Sequence, residues 1–514
     1  MRASFNPFCP DNVFISTLLI GLVFLLPAAF VPAIQAQPTT AALAELQEKI
    51  AKMLGEEQFD NAIWGAKIVN IQSGEVLFEQ HAEKSLMPAS NAKLYTTAAA
   101  LDLLGADFRY ETVLFSDGPI QNGVLKGNLI IRGSGDPTIG ARYVDGDPAL
   151  VFRNWARALR NLNITQIEGD IIGDDDLFDD LLLGYGWSWD DEPYYYSAEI
   201  GALTFYDNSI RFILEGQHVD EPGKLRWEPF NTSYVDVVNS SITVHPDSSD
   251  DIEYSRRRNF NTIEAIGEIY PAEIDTSYIT VSNPTKYFTH VLREVLVQEG
   301  IVVKGRPVDV DELSIKPKYN RAEQLLVHRS PPLSEIIVIL NKESQNLYAE
   351  LLIRTIGVLM PVAGKDKETS SAEMGVFSAK ETYGRARMDT SLIKLLDGSG
   401  LSRMNLVTAN MTADLLKYMW NHRDKEVREA YYNSLPIGGI DGTLEDRFRR
   451  SPTFRNVRAK TGTLTGASSL SGYVSTAAGT PVLFVLMCNN YTVKTSAVRR
   501  TQNAIVTLLA RYMQ

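Results

Sequence analysis

A chain of 514 residues, 44% of them hydrophobic, has material for more than one core and predicts two to four domains. Its formal charge of −13 argues against nucleic acid as a partner. Six scattered histidines, with no pair at ligand spacing and no cysteine cluster, predict no metal site.

The chain opens with Arg2, an apolar stretch over 13–26, Pro27 and Pro32, and then a small residue, Ala36, ahead of Gln37. This pattern predicts a signal peptide over residues 1–36, cleaved near Ala36, and an exported protein. An uncleaved anchor is the alternative, because the mostly apolar run up to Ile34 nearly reaches spanning length, and weak peripheral membrane association stays open with it. Cys9 precedes the apolar run and leaves with the peptide. Cys488 then remains alone in the apolar run 482–488, which reads as a buried strand with a structural thiol. No feature fixes the oligomeric state.

After the leader, residues 40–54 read as a helix and 64–71 with 75–79 as a β-hairpin turning at Gln72-Ser73-Gly74. Residues 90–104, rich in Ala and Leu and followed by Gly105, read as a helix with its C-terminal glycine. From about 107 to 317 short strand-like runs dominate, for example 127–133 and 169–174, with one helical interlude near 148–162. Helical patterns return at 333–360 and 407–421, two strands follow at 468–475 and 482–489, and a helix over 496–512 closes the chain. The expected architecture is an α/β (α+β) domain built from 37–106 and 318–514, split by a β-rich insertion over 107–317 that forms one or two extra domains.

Ser90 and Lys93 are three apart, so on a helix they share one face. A serine hydroxyl needs a base to become a nucleophile, and a lysine serves as one when burial or a second cation favours its neutral form. The small, apolar run 94–100 predicts such burial, and Lys460 is the expected second cation. An exposed helix capped by Ser90 is the plainer alternative. Ser344 and Asn346 could point into a shared cleft as proton relay and amide binder, or Ser344 could cap a helix over 347–352. Lys460, Thr461, Gly462 and Thr463 precede a strand, where a peptide can lie along the edge and Lys460 with Thr463 can hold its carboxylate. Ser391 with Lys394 and Ser4 with Asn6 repeat the same spacings without that context.

Ser90-Asn91-Ala92-Lys93, Ser344-Gln345-Asn346 and Lys460-Thr461-Gly462 in this order resemble the motifs of the penicillin-recognising serine enzymes. The offset of 254 positions from Ser90 to Ser344, and the runs 127–138, 196–203, 397–402 and 435–444, narrow the resemblance. They are similar to the D-Ala-D-Ala carboxypeptidase and endopeptidase family that includes penicillin-binding protein 4. That resemblance implies a penicillin-binding, transpeptidase-like fold and a periplasmic serine hydrolase acting on peptidoglycan stem peptides or cross-links, inhibited covalently by β-lactams, with no cofactor. It further implies Ser90 as nucleophile, Lys93 as base, Ser344 as relay assisted by Lys460, and Asn346, Thr461, Gly462 and Thr463 as substrate-binding residues. A β-lactamase and a non-catalytic envelope-binding protein are the alternatives. The acidic run 174–180 and the segment 187–192, with Trp187, Trp189, Asp190 and Asp191, are either a pocket for a cationic stem-peptide side chain or a solvated loop.

Overall fold

The computed structural model describes residues 40–365 and 368–513, so the expected leader over 1–36, with its cleavage at Ala36, and the Ser4–Asn6 spacing lie outside the described residues. One five-stranded antiparallel sheet joins the two ends of the chain. Its order is Arg458–Leu464, Ala467–Ser475, Pro481–Asn489, Ile63–Asn70 and Val76–Gln80. The apolar run of Pro481–Asn489 is continuous because both faces are covered. Val482, Phe484, Leu486 and Cys488 face the terminal helices Thr40–Leu54 and Thr495–Arg511, whereas Leu483, Val485 and Met487 face the helix Ala92–Leu104 and those packed around it. The Cys488 thiol is buried, which pushes its titration up to about 12. Residues 92–101 are buried without interruption, Lys93, Thr96 and Thr97 included.

Among the described residues four further sheets, of three, three, four and five strands, lie between these ends. The strand Glu323–Arg329 follows residue 317 yet pairs antiparallel with Glu111–Ser116 in one of them. Two helices pack on these sheets, the expected one at Leu150–Asn161 and a second, Pro284–Gln298, that the sequence reading passed over. Its start is written in the chain: Asn283 Oδ1 accepts from Lys286 N at 2.7 Å and Pro284 occupies the first turn. The helices Ser371–Arg385 and Lys425–Ser434 were also unanticipated, and the pattern at 333–360 is two helices, Leu333–Lys342 and Asn346–Leu359.

That break matters for function. Asn346–Leu359 docks the middle segment, burying Leu347 and Leu351 against Phe178, Ala198, Ile200 and Ala202. Arg354, 1% exposed, adds a bond to the Leu181 carbonyl at 2.7 Å and a salt bridge to Asp179. Among the described residues no helix is long and apolar enough to cross a membrane.

Candidate active site

Ser90 sits in a short 3-10 turn, Ala89–Asn91, leading into Ala92–Leu104, and caps nothing. Asn91 Nδ2 donates to the Lys460 carbonyl at 2.9 Å, and Ser469 Oγ donates to the Pro88 carbonyl at 2.6 Å, so the turn is tied to the strand Arg458–Leu464 and its neighbour. Gly462 makes this approach sterically feasible. A Cβ there would lie 2.9 Å from Ser90 N, 2.7 Å from the Pro88 oxygen and 2.3 Å from Ser469 Oγ.

Lys93 Nζ lies 2.9 Å from Ser90 Oγ, 2.6 Å from Asn346 Oδ1 and 2.7 Å from the Ser399 carbonyl. A neutral amine has two N–H groups and one lone pair, and these neighbours match it: two acceptors and one hydroxyl able to give up its proton. Burial lowers the Lys93 titration to about 7, against the opposing pull of Asp397 and Glu350. Glu350 is itself raised to about 7, first by burial and then by Asp397, and its Oε1 accepts from Gly398 N and Ser399 N. Glu350 thus positions the loop whose carbonyl holds Lys93. Neither Glu350 nor Asp397 was assigned a role from sequence, although 397–402 was singled out as a motif.

Lys460 Nζ donates to Ser344 Oγ at 2.8 Å and to the Thr461 carbonyl at 3.0 Å, and burial and the nearby Lys93 both push its titration well down. Ser344 does not cap the following helix. It is the left-handed residue, φ 61°, that ends Leu333–Lys342, with Gln345 N bonding back to the Leu340 carbonyl at 3.0 Å. Glycine usually fills this position, so a serine here carries a backbone cost that its hydroxyl must justify.

Ser90, Ser344, Asn346 and Thr463 line one cleft of about 820 Å³, with Lys93 and Lys460 buried beneath it. Thr461 and Gly462 do not line it; Thr461 Oγ1 donates to Thr443 Oγ1 at 2.8 Å. Gly186 to Asp191 with Tyr195 and Tyr196 line the same cleft, so the segment with Trp187, Trp189, Asp190 and Asp191 shares it with the nucleophile. The Tyr196 carbonyl accepts from Asn346 Nδ2 at 2.7 Å, and Trp187 Nε1 donates to Asp397 Oδ2 at 3.0 Å. Arg403 lines the cleft and Arg499 donates to Thr463 Oγ1 at 3.2 Å. The spacing decoy is exposed, with Ser391 on a turn and Lys394 in a β-bridge to Leu406.

A family model described as the D-Ala-D-Ala carboxypeptidase 3 (S13) family matches residues 46–512. The chain belongs to that family. A D-alanyl-D-alanine carboxypeptidase of Actinomadura sp. is 34% identical over 494 residues, covering 93% of this chain and 86% of the relative. The D-alanyl-D-alanine carboxypeptidase DacB of Haemophilus influenzae is 28% identical over 440 residues, 82% of this chain and 84% of that one. A crystal structure of penicillin binding protein 4 from Haemophilus influenzae shares the fold, with a TM-score of 0.75 at 24% identity over 90% of this chain and 99% of that chain. In this S13 chain three carboxylates, Asp175, Asp309 and Asp311, also come within 4.8 Å of one another. They are tied to Thr285, Asn283 and Lys316 and stand outside the cleft.

Proposed function

We propose that the protein is an exported, periplasmic serine hydrolase that cleaves D-Ala-D-Ala termini, D,D-cross-links, or both, in peptidoglycan stem peptides. Ser90 Oγ attacks the carbonyl ahead of the terminal D-alanine while Lys93 takes its proton. Backbone N–H groups of Ser90 and of the strand near Thr463 hold the oxyanion, and Ser344, polarised by Lys460, gives its proton to the departing amine and regains the one that Lys93 took from Ser90. The peptide lies along the edge strand Arg458–Leu464, with its amide on Asn346 and its carboxylate near Thr463, where the guanidinium groups of Arg403 and Arg499 lend positive charge. Water then hydrolyses the Ser90 ester, and no cofactor is involved. Trp189, Asp190 and Asp191 suit the cationic end of a stem-peptide side chain. We also assign 37–106 with 318–514 to the catalytic domain and 107–317 to the insertion; the pairing of Glu323–Arg329 argues for moving the second boundary to about residue 330.

The observation that carries this reading is the buried Lys93 amine, 2.9 Å from Ser90 Oγ and between two acceptors. Fluorescent penicillin and a chromogenic cephalosporin, applied to the wild type and to Ser90→Ala, test it. Stable labelling lost in the variant, with slow cephalosporin turnover, is expected. Rapid turnover makes the protein a β-lactamase, and no labelling of the wild type sinks both enzymes in favour of an envelope-binding role. Release of free D-alanine against cleavage of a cross-linked dimer then apportions the two peptidase activities.

A further inference from the structure

Three consecutive non-glycine residues of the middle segment, Tyr206, Asp207 and Asn208, hold left-handed backbone, with φ of 49°, 56° and 50°. Such runs persist only where neighbours over-determine them. Here Tyr206 N donates to the Ile139 carbonyl at 2.9 Å, Tyr206 Oη to Glu228 at 2.8 Å, and Asn208 Nδ2 to the Glu199 carbonyl at 2.8 Å. The result is a rigid turn that presents the Asp207 carboxylate to the catalytic half. Asp207 Oδ2 accepts from Arg142 Nη2 at 2.8 Å, from Arg142 Nε at 3.0 Å and from Gln345 Nε2 at 3.2 Å. The same guanidinium reaches Glu343 through Nη1.

Glu343 and Gln345 flank Ser344, whose left-handed backbone aims its hydroxyl at Lys460. We propose that Arg142 and Asp207 are positioning residues: they grip both neighbours of Ser344 and hold it in the conformation that lets it deliver a proton. The idea rests on the relay assigned to Ser344 above. It gives the middle segment a role in the rate of the chemistry, beyond forming the cleft wall. The Arg142 side chain is 31% exposed and that of Asp207 18%, so losing the pair costs some stability, and Tm and titratable active sites are followed beside the rate.

The test measures acylation by penicillin in stopped flow, D-alanine release from a pentapeptide ending in D-Ala-D-Ala, the fraction of titratable active sites, and Tm. Arg142→Met and Asp207→Asn should each slow acylation by about tenfold to a hundredfold per titrated site, since an ångström-scale misplacement of a catalytic group has that effect. For the pentapeptide kcat should fall while KM moves less than about twofold, because a relay acts in the transition state. Arg142→Lys keeps the charge without the three-donor fork and should recover only part of the rate. Ser344→Ala separates the two ideas. If it acylates at the wild-type rate, the relay itself is wrong. If it is slow while Arg142→Met and Asp207→Asn stay within twofold of wild type, the positioning role is wrong. Slowing that only mirrors lost active sites, with a lower Tm, would also overturn it.

Discussion

Two serine–lysine pairs share this cleft, at nearly the same distance and in opposite surroundings. Ser90 and Lys93 are 2.9 Å apart, Ser344 and Lys460 2.8 Å. Around Lys93 two carboxylates pull the titration upward against burial, leaving it at about 7. For Lys460 both influences, burial and the charge of Lys93, act downward. Distance alone does not choose the base. In the proposed mechanism the lysine poised near neutral pH takes the nucleophile's proton, and the other polarises a relay.

The largest effect should come from Lys93→Met, which removes the base and should slow penicillin acylation by about a thousandfold. Lys460→Met should slow it by about a hundredfold. Equal losses, read by the same stopped-flow assay, would erase the division of labour between the pairs. The wild-type acylation rate should climb with pH through about 7 as Lys93 loses its proton. Glu350→Gln removes a charge that favours protonated Lys93, so that limb should move to lower pH by about one unit; movement upward would contradict the arrangement. The same lysine leaves a thermodynamic trace. Its folded titration lies below the ordinary 10.5, so the unfolded chain binds more protons between about pH 7 and 10.5, and its contribution to stability rises with pH across that window. The smallest effect concerns the second pair: Ser344→Gly and Ser344→Ala both remove the hydroxyl bonded to Lys460 and slow acylation, but glycine also relieves the left-handed backbone and should be the more stable of the two by up to about 1 kcal/mol in denaturant titrations. Equal stability of the two variants would mean that Ser344 carries no backbone strain.

What the sequence made legible divides along the same line. Ser90 and Lys93 are neighbours on a local turn, so spacing and the small apolar run after them pointed to a buried pair. The catalytic strands were legible too, because the run 482–488 is apolar on both faces. Ser344 was harder: whether it ends one helix or caps the next depends on a backbone conformation that side-chain patterns do not encode. Glu350 and Asp397 escaped notice because a buried acid inside an apolar helix, or in a glycine-rich turn, acquires meaning only when folding brings Lys93 beside it. Arg142 and Asp207 were illegible for the same reason, being 201 and 138 positions from their partners Glu343 and Gln345.

The pairing of Glu111–Ser116 with Glu323–Arg329 bears on how this chain reaches its native state. Adjacent strands lie about 4.8 Å apart, so the middle segment leaves and rejoins the catalytic half at one place. Residues 63–70 must find residues 482–489 to close the catalytic sheet, and the entropy of that closure grows with the free chain between them. Once the middle segment has folded, roughly two hundred residues drop out of that free length. The expected order is therefore middle segment first and catalytic sheet last. In refolding experiments, penicillin labelling should lag behind the recovery of β-sheet signal.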